Sequence, residues 1–436
     1  MTNDTEIGVY TDLLQPGADC IRVGTLWIHH RRQGSASFEY SQEWLNHPHS
    51  YELEPMLPLG RGKYHTAPGQ VLFGSMSDSA PDRWGRRLIQ QAHRKGLPGY
   101  PAVNGALGEQ HFLLGVNDLA RMGALRYSTD GGATFLHTDE GASIPPIIDL
   151  LPLHHAAEHL CRDTATPAEL RMLLNPGSSL GGAWPKASVK DEQGNLYMAK
   201  FSNSQQEYDV VAWEAVAMTI AAKAGIRVPE FSLKRPARGK SVFLSRRFDR
   251  SPSGTRLPYI SAMTMLQAKD GEVHSYAELA EYMSQYTANP RADLKELWCR
   301  IALSIMVTNV DDHPRNHGFL RLERKGWQLA PLFDVNPTPE HVKGHTLSMD
   351  IVEGDNTASL KLLCDHADVF YLRPREAKEL LVPIARAVSG WRGIATNMGI
   401  PAAQQEEMSG VLNMQPGIIW SLGHITVCPH DAQLGI

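Results

Sequence analysis

Two short runs constrain this chain more than anything else in it: TNVDDHPRNHGF from Thr308 to Phe319, and LAPLFDVN from Leu329 to Asn336. Asp311 and Asn316 stand in a D-x-x-x-x-N spacing, and Asp334 follows after a short apolar stretch. That is the skeleton of a phosphoryl-transfer centre. One carboxylate orients or accepts the proton of a hydroxyl, while an amide and a second carboxylate hold Mg²⁺ against ATP phosphates. Such chemistry asks little covalent help from the protein; it asks for held phosphates and an aligned hydroxyl. A helix read over Leu294 to Val307 delivers the chain to Asp311, the catalytic carboxylate in this reading, with Asn316 and Asp334 as metal ligands. Asp312 is a rival for Asp311, and only the five-residue step to Asn316 favours the first. Both Asp and Asn are also ordinary turn formers, so a polar loop and a Val335-Asn336-Pro337 turn are the plain alternatives.

Features upstream fit the same chemistry. Lys200 lies in an apolar strand, Met198-Ala199-Lys200-Phe201, and Glu214 follows fourteen residues on, inside a helix read over Glu207 to Ala224 and closed by Gly225. A strand lysine that neutralises phosphate charge, then a helix glutamate that orients it, is the kinase order. The alternative is an edge-strand lysine pointing to water. Before it lies Asn175 to Lys186, where Gly177, Gly181 and Gly182 permit close backbone approach to anions and Lys186 adds charge. It is neither a Walker A motif nor a G-x-G-x-x-G, and an ordinary Gly/Ser/Pro loop has the same composition. His313, within the catalytic loop, reads as an orienting donor. The 19 histidines, among them His29-His30 and His154-His155, show no metal-ligand spacing with Cys or acidic residues, so no structural metal site is expected.

At 436 residues the chain has room for about three domains. With 42% hydrophobic and 20% charged residues it can bury substantial cores, and a net charge of −5 argues against a protein that mainly coats nucleic acid. The 5 cysteines are scattered and read as reduced thiols. No secretory signal or membrane-length apolar run is read, so a cytoplasmic protein is expected. Cys20 to His29 reads as a strand bent at Gly24, Asp78 to His93 as a helix with Asp82, Arg83, Arg86 and Arg87 outward, and Thr166-Pro167 as a helix start. Two strands flank the Asp191 to Asn195 turn, Ser241 to Phe248 is another, and the chain is largely helical from Tyr276 apart from a hairpin whose second strand, Gln328 to Phe333, ends at Asp334. The expected division is a β-rich unit over 1–130, an ATP-binding lobe over 131–265 and a helical lobe over 266–436.

Taken in order, a Ser-rich glycine loop, a strand lysine, a helix glutamate, a D-x-H-x-x-N loop and an F-D pair follow a separate β-rich region. The chain resembles the HipA family of serine/threonine-protein kinase toxins from type II toxin–antitoxin systems. Phe38-Glu-Tyr-Ser-Gln-Glu-Trp-Leu45 is similar to the family's F-x-Y-x-x-E-W-L, and Phe73 to Asp82 to its segment ending in P-D-S, with Asp78-Ser79 in register. The resemblance implies an α+β, two-lobed kinase fold behind an N-terminal β-rich domain. It implies ATP and Mg²⁺ as cofactors, with Asp311 as catalytic aspartate, Asn316 and Asp334 on Mg²⁺ and Lys200 on ATP phosphates. Ser179 would be the loop serine that such kinases phosphorylate on themselves, with Ser178 beside it. Arg246-Arg247-Phe248-Asp249 would be the R-F-D hinge whose backbone meets adenine. The implied partners are a small helix-turn-helix antitoxin, operator DNA mainly through that antitoxin, and a protein substrate such as an aminoacyl-tRNA synthetase. Two departures stand out: Trp184-Pro185 fills the Q-x slot of the loop form S-x-x-G-A-Q-x-K, and Asp312 stands where a glycine is familiar, adding charge near the site. A small-molecule phosphotransferase and a non-catalytic co-repressor that docks an antitoxin are the competing readings.

Overall fold

The computed structural model describes residues 4–12, 20–29, 34–103, 105–135, 144–174, 184–203, 205–322, 326–339 and 346–412. The first sheet has the order β4-β3-β2-β1-β5, from β1 (Thr5–Asp12), β2 (Cys20–His29), β3 (Ser35–Tyr40), β4 (Lys63–His65) and β5 (Leu125–Ser128), every pair antiparallel. The expected bend in β2 is a bulge. Val9 faces Gly24 but Tyr10 faces Arg22, and a Cβ at Gly24 would come within 2.3 Å of the Glu39 carbonyl oxygen, so only glycine fits the crossing. Alternating residues of these strands, with Trp44 of α1 (Gln42–Asn46), make the first core.

The stretch read as one helix over Asp78 to His93 is two. Helix α2 (Gly74–Asp78) ends, Pro81 interrupts, and α3 (Arg83–Arg94) restarts with Asp82 as its N-cap. After α4 (Glu109–Leu114) come α5 (Leu150–Cys161) and α6 (Pro167–Leu174); Thr166 and Glu169 close the start of α6 as a reciprocal capping pair.

The second sheet is β6-β7-β9-β8, from β6 (Lys186–Lys190), β7 (Leu196–Phe201), β8 (Phe231–Ala237) and β9 (Lys240–Arg246). Period two splits its faces. Ala187, Val189, Ala199, Phe201, Val242 and Leu244 pack on α3, α5 and α6, so this core joins residues on both sides of position 130. Phe243 faces the other way, into a larger core built on α7 (Val210–Lys223). Helix α7 starts three residues later than read, because the Asp209 side chain caps the Ala212 amide. Val211 through Met218 are all buried, the pattern of a helix covered on every side. Among the described residues no sheet crosses position 130.

The helical part opens with β10 (Tyr259–Ser261), α8 (Ala262–Met265), α9 (Tyr276–Tyr286) and α10 (Pro290–Met306). Asn289 caps α10 and Pro290 sits at its first position, and the helix is mostly buried from Leu294 onward. A third sheet, β10-β11-β12, adds β11 (Gly318–Arg321) and β12 (Trp327–Leu329). Helices α11 to α15 (Leu360–Asp365, Pro374–Ser389, Trp391–Asn397, Ala402–Glu407 and Ser409–Leu412) complete the chain that is described. No helix among the described residues is long and apolar enough to cross a membrane.

Candidate active site

Lys200 is on a central strand, not an edge: β7 pairs with β6 on one side and β9 on the other. Its side chain points from the face opposite the α3/α5/α6 core and is 5% exposed. Such a charge is tolerable only if paired. Its Nζ donates to Glu214 Oε1 and Oε2 at 2.8 and 2.9 Å and to Asp334 Oδ1 at 2.6 Å. Burial alone would lower the ammonium's pKa, but Asp334 and Glu214 outweigh it and raise it. Burial likewise pushes Asp334 up, yet the Lys200 charge wins and holds that carboxyl at about 2. Glu214 shows the opposite balance: burial prevails over Lys200 and lifts it to about 7.

Asp334 does not end a strand. β12 stops at Leu329: the Ala330 amide makes a last bond to Gly318 at the start of β11, and the Leu332 amide then turns to the Arg227 carbonyl. Asp334 itself has φ of 59°, left-handed for a non-glycine residue. That conformation costs on the order of 1–3 kcal/mol and persists where surroundings fix it. They do so here. Asn336 Nδ2 donates to Asp334 Oδ1 at 3.0 Å, the Asn336 amide donates to Asn309 Oδ1 at 3.1 Å, and the Thr338 amide reaches the Thr308 carbonyl at 3.1 Å. The segment carrying Asp334 is thus stitched to the loop that follows α10.

That loop separates the two adjacent aspartates. Asp311 is exposed; Asp312 is 4% exposed. Asp312 accepts from Tyr276 Oη at 2.7 Å and Ser304 Oγ at 3.2 Å, and His317 Nε2 stands 3.0 Å from its other oxygen. Burial would raise its pKa, but His317 and these hydrogen bonds lower it. The charge expected near the site is therefore turned into the core beneath it, where it anchors the loop to α9 and α10. Asn316 is buried, and its Nδ2 donates to the Asp311 carbonyl at 3.1 Å. The amides of His313 and Asn316 close the turn through the Asp311 and His313 carbonyls. His313 Nδ1 is buried with no hydrogen bond among the described residues.

The side-chain oxygens of Asp334 and Asn316 suit Mg²⁺ as a nucleotide-borne ion. Asp334 Oδ2 and Asn316 Oδ1 are hard donors with no hydrogen bond among the described residues, and no cluster there of three or more His, Cys, Asp or Glu could hold a metal by itself. One carboxylate and one amide are what Mg²⁺ takes from a protein when phosphates and water supply the rest.

Two further placements differ from the sequence reading. Lys186 is the first residue of β6 and 1% exposed, and Asp82, read as outward, lies against it: Asp82 Oδ2 is 2.5 Å from Lys186 Nζ. The resemblance puts the backbone of Arg247 and Phe248 at adenine; the Arg247 guanidinium itself is buried in other contacts. It is held by Asp249 at 2.7 and 2.6 Å and by the carbonyls of Ala120 and Arg121, so it ties the end of β9 to the N-terminal region. Asp249 also accepts the Gly123 amide at 2.8 Å and Arg250 at 2.6 Å. The Phe248 ring lies 5.4 Å from that of Phe333, beside Asp334. Ser178, Ser179, Gly181 and Gly182 lie outside the described residues.

A model of the HipA N-terminal domain matches residues 18–99 and one of the HipA-like C-terminal domain matches 178–391, together more than half of the chain. The chain belongs to the HipA family. Two relatives share part of it: "Putative kinase" of Haemophilus influenzae, 29% identical over 42% of this chain, and "Putative kinase Y4dM" of Sinorhizobium fredii, 24% identical over 52%. The matches span 60% and 55% of those proteins. Among solved structures, HipA of Shewanella oneidensis, seen with HipB and its operator DNA, covers 90% of this chain and 93% of its own at a TM-score of 0.65 and 15% identity. The HipA fold therefore extends over nearly the whole molecule.

Proposed function

We propose that this HipA-family chain is an ATP- and Mg²⁺-dependent serine/threonine protein kinase and the toxin of a toxin–antitoxin pair. The observation that carries it is the Lys200 clamp, in which one buried ammonium joins the helix carboxylate of Glu214 to Asp334. A buried lysine held by two carboxylates, one of them stitched to the Asp311 loop, is a device for phosphate charge. Bound Mg²⁺ would supply neutralisation of the phosphates, held by Asp334 and Asn316. Lys200 would orient the phosphates, and Asp311, exposed at the loop, would align the acceptor hydroxyl and take its proton.

The S. oneidensis relative assembles with HipB and operator DNA. For this chain a helix-turn-helix antitoxin, with DNA bound mainly through it, is the corresponding proposal, and a translation component such as an aminoacyl-tRNA synthetase is the proposed substrate. Phosphorylation of Ser179 or Ser178 would add roughly −1.5 to −2 charges to the loop over the phosphates and oppose nucleotide binding. Incubation with γ-labelled Mg-ATP, followed by mass spectrometry, tests this reading. Label on a serine or threonine of this chain or of an added protein supports it. Label on a small-molecule acceptor alone, or none, refutes it.

A further inference from the structure

Lys186 and Lys200 are directly opposite each other in the β6–β7 register, so both side chains leave the same face of the sheet. Opposed residues have Cβ atoms about 4.5–5.5 Å apart, and like charges there destabilise. Each ammonium needs its own counter-charge. Lys200 has Glu214 and Asp334; the carboxylate 2.5 Å from Lys186 is Asp82, which comes from the N-terminal part of the chain. The charge on Lys186 also favours the ionised forms of Glu214 and Asp334, which places it in the same electrostatic site.

Asp82 is held rigidly. Its Oδ1 accepts the Gly85 amide at 2.7 Å as the N-cap of α3, and two residues on, the buried Trp84 indole donates to the Lys186 carbonyl at 2.9 Å. At the other end of the same segment, Asp78 accepts from the Ser261 amide, Ser261 Oγ and Thr264 Oγ1, each at 2.7 Å. The short run from Asp78 to Trp84 is thereby pinned to the helical part of the chain at one end and to the first strand of the ATP sheet at the other.

We infer that Asp82 is a positioning residue for the nucleotide site: it holds Lys186 beside Lys200 for the phosphates, as Glu214 holds Lys200. This rests on the kinase reading above. It makes the N-terminal region part of the enzyme, because its own side chain completes the charge arrangement of the ATP lobe.

Asp82→Asn separates charge from structure, since asparagine caps a helix as well as aspartate and has nearly its volume. Calorimetric titration of the full chain with Mg²⁺ and a non-hydrolysable ATP analogue reads the effect. Asp82→Asn should weaken binding about tenfold, the loss of one charge-assisted contact. Asp82→Glu should fall between it and wild type. Lys186→Met should weaken binding to a similar extent, and the Asp82→Asn/Lys186→Met pair should bind no worse than Lys186→Met alone. A purely structural role would lower the melting temperature with independent, multiplicative losses of affinity; that result overturns the inference, as does unchanged or tighter binding by Asp82→Asn. If Asp82→Asn does not fold, Asp82→Glu in the wild-type and Lys186→Met backgrounds decides in the same way. A wild-type chain that binds no analogue refutes the kinase reading and this inference with it, whereas a wild type that binds isolates the failure to Asp82.

Discussion

Replacing Lys200 by methionine removes the ammonium with little change in volume, so the response reports charge pairing more than packing. The Lys200 and Glu214 side chains are 5% and 2% exposed, while that of Asp334 is 26% exposed. The Glu214 contact therefore lies in the regime where breaking a buried pair costs about 3–5 kcal/mol, and the Asp334 contact adds little because water reaches that oxygen pair. The lower end, about 3 kcal/mol, is expected, against a total stability of roughly 5–15 kcal/mol. Urea unfolding of Lys200→Met, Glu214→Gln and the double variant measures it as a coupling energy, expected at about 2–3 kcal/mol. The deficit should depend on pH. Without Lys200, burial raises the Glu214 carboxyl above the value of about 7 it has with the lysine present. An acid whose folded pKa is raised is stabilised by protonation, so Lys200→Met should recover toward wild type as pH falls from about 8 to about 6. A coupling energy below about 0.5 kcal/mol, or a pH-independent deficit, refutes the pairing argument.

Three other outcomes follow. Asp311→Asn should reduce phosphoryl transfer by roughly a thousandfold while melting like wild type, because its side chain is exposed. Asp312→Asn should instead lower stability by about 2 kcal/mol through Tyr276, Ser304 and His317; transfer lost on Asp312→Asn but kept on Asp311→Asn would move the base by one residue. His154, buried against Phe201 and Ser202, has its pKa lowered from 6.5 to about 4 by burial, so its contribution to stability is present above pH 6.5 and is lost as pH falls toward 4. A His154→Gln chain should lack that part of the acid slope, and parallel wild-type and variant curves of unfolding free energy against pH would contradict the assignment.

Residue order made the Lys200–Glu214 arrangement legible, because a strand followed by a helix that packs on it leaves few choices for where the two side chains meet. Period two within β7 fixed which face Lys200 leaves, but Lys186 was read as the end of the glycine loop, and its place opposite Lys200 depends on the β6–β7 register, which neither strand's own pattern states. The five-residue step to Asn316 favoured Asp311, but the burial of Asp312 was not legible. It depends on Tyr276 and Ser304 in two separate helices, and nothing in DDHPRN names them. Asp82 was read as outward because α3 was taken as one continuous helix from Asp78; Pro81 in the middle of that run was the missed signal for a new start, with Asp82 as its cap. Its partner Lys186 comes from a distant part of the chain, as does the Trp84–Lys186 contact at 102 residues' separation, beyond the reach of local pattern. For the Arg246 to Asp249 run the resemblance spoke only of backbone at adenine and left the Arg247 side chain unassigned. Besides Asp249, that side chain reaches the carbonyls of Ala120 and Arg121, in a segment that no periodicity links to it. Asp334 was placed at a strand end by an apolar run that extends past the last ladder pair.

The central claim is that Asp311 works with the Lys200 clamp to transfer phosphate to protein. Comparing the phosphoproteomes of cells expressing the wild-type chain and an Asp311→Gln form, at matched protein levels, tests it most directly. Serine or threonine sites that appear only with the wild type, on a small set of proteins, are the predicted result. Indistinguishable phosphoproteomes, with both forms folded and binding Mg-ATP equally, would contradict it.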